Sequence, residues 1–152
     1  MFSCRKRDKL VTVQKFLRRI TDLTTPNRAA APDRTRSEDR YNRAIPTLLS
    51  PWQDGHVDRS RCAMVLTRDI SDRGVGLIAN HPFPAREIVL AYWITSDDAH
   101  EPWFFRGRIE RESAIGGGFW SIGVKLVEFM NENQRPEIER LLPLAHKLIP
   151  PL

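Results

Sequence analysis

From residue 44 to about residue 128 the chain is a succession of short runs rich in Val, Ile, Trp and Phe, separated by turn residues. Runs of this length and composition read as strands. Candidate strands lie at about 44–50, 60–70, 74–80, 86–95, 102–113 and 118–128. The clearest are Arg86-Glu87-Ile88-Val89-Leu90 and Phe104-Phe105-Arg106-Gly107-Arg108-Ile109. Six strands with short connections suggest a small antiparallel barrel. Gly116-Gly117-Gly118 forms a hairpin tip, and it lacks the Gly-Lys-Ser/Thr that a phosphate-binding loop needs.

Helical patterns flank the strands. Leu10, Val13, Leu17 and Ile20 recur with helical spacing, and Phe16 and Leu23 widen the stripe, so residues 8–24 read as an amphipathic helix. Its basic residues, Lys9, Lys15, Arg18 and Arg19, would allow it to lie on a membrane, but packing on its own domain or on a second copy is the favoured reading. Residues 25–43 lose all periodicity and read as a linker. A second helix is expected over about 132–142, with Ile138, Leu141 and Leu142 on one face, Pro136 in its first turn, and Pro143 ending or kinking it before a turn to Leu148. The chain thus divides into a basic helix and linker (1–33), a barrel domain (34–130) and a C-terminal helix and tail (131–152).

A length of 152 residues suits one domain with a real core. No apolar run approaches the ~20 residues needed to span a bilayer. The charged start, Met1-Phe2-Ser3-Cys4-Arg5-Lys6-Arg7, lacks the apolar segment of a signal peptide. A cytoplasmic location follows as the expectation, with Cys4 and Cys62 as reduced thiols. Net charge is +5, distributed as +6 over residues 1–60 and −1 over residues 61–152. The excess of positive charge before the barrel points to an anionic partner.

Two motifs give that partner a chemistry. Arg36-Ser37-Glu38-Asp39-Arg40 is an R-x-x-x-R, and Asp69-Ile70-Ser71-Asp72-Arg73-Gly74 is a D-x-S-x-x-G. An arginine fork can grip a phosphate, donate to guanine O6 and N7, or stack on a base. An Asp accepts from the N1–H and N2–H donors of guanine, and a Ser hydroxyl donates or accepts beside it. A Gly allows a positive φ or the close approach of another group. The set suits an anionic guanine nucleotide. Alone, each motif is more often bland: a pair of solvated arginines, or an Asx turn between strands.

The order and spacing of the two motifs resemble the PilZ domain family. So do Tyr41 and Pro46 after Arg40, and the last-strand segment Ile122-Gly123-Val124-Lys125-Leu126. The likeness covers roughly residues 34–130. It implies a mainly β fold, a six-stranded antiparallel PilZ-like barrel, with an N-terminal amphipathic helix and a C-terminal helix. It also implies a receptor for the bacterial second messenger cyclic di-GMP, with ligand residues Arg36, Arg40, Asp69, Ser71 and Gly74, acting on an unidentified protein partner through loop closure. Thr35 stands where family members often carry Arg or a bulky apolar residue, so the resemblance leaves open whether one nucleotide or a stacked pair binds.

Other chemistries find little support. His56, His81, His100 and His146 are scattered without metal-ligand spacing. Ser71 lies in no nucleophile elbow. Glu110 and Glu112 show no sign of a general acid and base pair, and Trp103 and Trp120 read as core aromatics before stacking platforms. The expectation is a protein that is not an enzyme and uses no cofactor or metal. Two rivals remain: a PilZ-fold adaptor acting through protein contacts alone, and a basic barrel binding single-stranded nucleic acid, which the net −1 of residues 61–152 disfavours.

Overall fold

The computed structural model describes residues 41–42, 45–71, 74–92 and 101–148. The expected helix at 8–24 and linker at 25–43 fall outside this range, apart from the backbone of 41–42. Eight strands are described: β1 (Tyr41–Asn42), β2 (Pro46–Gln53), β3 (His56–Val57), β4 (Ala63–Ile70), β5 (Gly74–Ala79), β6 (Glu87–Tyr92), β7 (Trp103–Gly116) and β8 (Phe119–Phe129). They are followed by helix α1 (Arg135–Leu148).

Every pairing is antiparallel. The order β4-β5-β8-β7-β6-β2 returns to its start because β2 also pairs with β4, which closes a six-stranded barrel. β1 and β3 are two-residue additions to β4 and β2. The six main strands are those expected from the sequence, within a few residues at each end. The longest hairpin, β7–β8, turns on Gly117 and Gly118, both at positive φ (65° and 82°), as a two-residue hairpin loop demands.

Alternation of buried and exposed residues sends one set of side chains inside. Leu49, Ile70, Leu77, Ile88, Leu90, Phe105, Ile122 and Leu126 are fully buried there, with Phe105 tilted against Phe129 at 5.5 Å between ring centres. A second cluster lies outside the barrel. Leu48, Val89, Ala91 and Phe104 on the outer face of β2, β6 and β7 pack against Ile138, Leu141 and Ala145 of α1. The helix therefore covers one half of the wall, while β4, β5 and β8 contribute no residue to this cluster.

α1 ends at Leu148, where the turn after Pro143 was expected to reach, but it runs through Pro143 as one helix. Pro143 lies within it, exposed, and costs the helix one backbone hydrogen bond on the solvent side. Ile138, Leu141, Leu142 and Ala145 keep the helical spacing across it, so packing carries the helix past the proline. Glu137 pins the helix to the barrel: its carboxylate accepts from the Val57 N–H at 2.9 Å, lies 2.8 Å from His56 Nδ1 and meets Arg140 at 3.2 Å. Burial works to raise its pKa, but the hydrogen bonds from His56 and Val57 outweigh it and hold the carboxyl below its ordinary range.

The junction of β1 and β2 is fastened by Thr67. Its Oγ1 accepts from the Ile45 N–H at 2.7 Å, and its own N–H donates to the Ile45 carbonyl at 3.0 Å.

Candidate functional site

The D-x-S-x-x-G motif forms the end of β4, the connection to β5, and the first residue of β5. Pairing between these strands is regular up to Thr67 opposite Leu77, then shifts by one, so that Asp69 opposes Gly76 and Ile70 opposes Val75. Arg68 is the extra residue of a β-bulge. Bulges re-aim side chains locally, and the burial pattern shows the result. Val65 and Thr67 are buried before the bulge and Ile70 after it, while Arg68 is exposed and Asp69 half-buried. Two consecutive side chains, Arg68 and Asp69, thereby escape the interior without forcing Ile70 out.

Asp69 lies across the neighbouring strand. A Cβ at Gly76 would stand 2.6 Å from Asp69 Oδ1, so only glycine there admits the carboxylate in this position. Gly76 was not among the residues singled out from sequence. Its trace is the alternation Gly74-Val75-Gly76 inside an otherwise apolar strand, where a glycine marks a close approach.

Gly74 serves the second of the two purposes expected of it. Its φ is not in the left-handed region. A side chain there would overlap the carbonyl oxygen of Val124 on β8, so the residue exists for close approach between strands. Ser71 is buried and closes the connection: its N–H donates to the Gly74 carbonyl at 3.0 Å and its hydroxyl approaches the same oxygen at 3.4 Å.

Arg36 and Arg40 lie outside the described residues. Tyr41 and Asn42, which follow Arg40 directly, pair as β1 with Ile70 and Asp69. The two residues after the R-x-x-x-R thus pair with residues of the second motif. Of the aromatic candidates, Trp103 is buried and Trp120 half-exposed near the β7–β8 turn. Among the described residues no group of three or more His, Cys, Asp and Glu could hold a metal ion, and no helix is long and apolar enough to cross a membrane.

The described chain is thus a six-stranded antiparallel barrel with a C-terminal helix on the outer face of β2, β6 and β7 and the D-x-S-x-x-G motif between β4 and β5. The sequence matches the PilZ domain over residues 35–143, and the chain belongs to that family. Among solved structures it is similar to the Bacillus subtilis inhibitor of motility MotI/DgrA, with 11% identity and a TM-score of 0.48. That likeness covers 76% of this chain and 57% of the other. No curated protein matches the sequence.

Proposed function

We propose that this protein is a receptor for cyclic di-GMP that passes the signal to a protein partner. Arg36 and Arg40 grip phosphate and guanine from the N-terminal segment. Asp69 accepts from a guanine edge on the outer face of the barrel, Ser71 holds the hairpin beside it, and Gly74 keeps the strands close. Binding draws the arginine segment over the ligand, and the altered surface is what a partner reads. The observation that supports this reading is the pairing of Tyr41 and Asn42, the two residues that follow Arg40 in the sequence, with Ile70 and Asp69 of the second motif. The family supports it, since PilZ domains are regulatory domains rather than catalytic ones.

Calorimetric titration of the full chain tests it, with cyclic di-GMP, single-stranded RNA and single-stranded DNA in parallel. The expected result is saturable binding of cyclic di-GMP near micromolar, about −8 kcal/mol, lost in Arg40→Ala and nearly lost in Arg36→Ala. Absence of binding at high protein concentration, with partner capture intact, would favour the ligand-free adaptor. The exposed apolar residues Met64 and Leu66 on β4 would serve such an adaptor.

A further inference from the structure

We infer that Arg111 and Lys125 form a second cationic wall of the ligand site, so that the ligand lies across the outer face of β5 and β8 rather than on the β4–β5 hairpin alone. This rests on the cyclic di-GMP reading above. The register supplies the arrangement. Asp69 pairs with Gly76, Gly76 with Gly123, and Gly123 with Arg111, one residue from each of β4, β5, β8 and β7. Directly paired residues of antiparallel strands point to the same face. Ile122 and Val124, on either side of Gly123, are in the interior cluster, so this row lies outside.

Asp69 folds over Gly76 from one end of the row. Arg111 lies along Gly123 from the other, its Nε 3.8 Å from where a Cβ of Gly123 would be. One step along, Gly74 of the motif pairs with Lys125. Asp69 and the two cations thus flank a floor that carries no side chain at Gly74, Gly76 or Gly123.

The charges on the far side are what call for an anion. Arg106 and Arg108, earlier on β7, have acidic partners: Arg106 meets Glu128 at 3.3 Å, and Arg108 meets Glu87 at 3.3 Å. Arg111 and Lys125 have no ion pair or hydrogen bond with another described residue. Lys125 also sits directly opposite Arg108, a like-charge pair that weakens a sheet. Glu87 offsets the charge of Arg108, but nothing among the described residues offsets that of Lys125, and a local cost left standing in this way marks a functional surface. A dianionic nucleotide whose base is held at Asp69 would bring phosphate oxygens to both cations.

The test titrates cyclic di-GMP into the full-length wild type and into Arg111→Ala, Lys125→Ala, Gly123→Val and Lys147→Ala, with thermal melts as the control for folding. Lys147 is an exposed cation on the helix-covered half and reports the effect of net charge alone. Gly123→Val adds bulk without charge. A Cβ there meets nothing closer than Arg111 at 3.8 Å, so the barrel accommodates it, and Gly123→Ala repeats the test with a smaller obstacle. The inference expects Arg111→Ala and Lys125→Ala each to weaken binding roughly tenfold, Gly123→Val to weaken it at least as much, and Lys147→Ala to leave it unchanged. Wild-type affinity in Arg111→Ala and Lys125→Ala, or in both Gly123 variants, would overturn the wall and leave the receptor reading standing. Equal losses in Lys147→Ala and the two wall variants would reduce the effect to net charge and overturn it as well. Failure of the wild type to bind would remove the receptor reading, and the wall with it.

Discussion

In the proposed site Asp69 depends on a second residue: the carboxylate would supply the chemistry, and Gly76 leaves the room for it. Asp69→Asn is expected to be as damaging to cyclic di-GMP binding as Asp69→Ala, because the amide places donors against the donors of guanine. Gly76→Ala should give the same loss while leaving the carboxylate itself intact, since the new methyl would stand 2.6 Å from Oδ1 and displace it. Calorimetry and a melting curve separate this from Gly74→Ala. There the methyl meets backbone rather than a mobile side chain, and the expected outcome is destabilisation by about 1–3 kcal/mol. Retained binding in Gly76→Ala would show that the carboxylate is not used where it lies. The D-x-S-x-x-G motif could be picked out of the sequence because its spacing is local. The close approach of Asp69 to Gly76, and the row that runs from Gly76 through Gly123 to Arg111, could not, because they come from cross-strand register, which adjacent residues do not encode.

The elements show the same division between local and distant information. The six main strands could be read from their composition and their turn residues. The bulge at Arg68 could not, since it depends on what opposes β4. The continuity of α1 through Pro143 was not legible, because Pro143 reads locally as a breaker or a kink, whereas Ala145 continues the buried stripe beyond it. Two further outcomes belong at this scale. Thr67→Val would leave the buried Ile45 N–H without the oxygen it now donates to, and denaturant unfolding should show a loss of about 1–3 kcal/mol. Glu137→Gln should cost about 1 kcal/mol at neutral pH. The folded-state pKa of Glu137 is lowered, so its contribution is present above the ordinary value of 4.5 and disappears as pH falls through the lower folded value. The difference in melting temperature between wild type and Glu137→Gln should therefore close on acidification below about pH 4.5. A difference that persists unchanged in acid would mean that the ionised carboxylate is not what secures the helix.

At the scale of the whole molecule, the charge asymmetry of the chain should appear in its binding. The excess of positive charge precedes residue 61, with the arginine motif inside it. Phosphate contacts from that segment, as proposed, would be screened by salt, so affinity for cyclic di-GMP is expected to fall steadily as ionic strength rises, while thermal stability in the absence of ligand changes little. Salt-independent affinity would assign the binding energy to stacking and neutral hydrogen bonds, and would displace the arginines from their central role.

The half-covered wall has a consequence for any measurement made in a cell. α1 covers the outer face of β2, β6 and β7, so the candidate ligand residues and the exposed Met64 and Leu66 share what remains around β4 and β5. Two guests on one face are thermodynamically linked. Whatever factor the nucleotide applies to a partner's affinity, the partner must apply to the nucleotide's. The messenger concentration at which such a receptor responds is then not a property of the receptor alone. It moves with the abundance of the partner, and the same chain would be set to different thresholds in cells that differ only in how much partner they make.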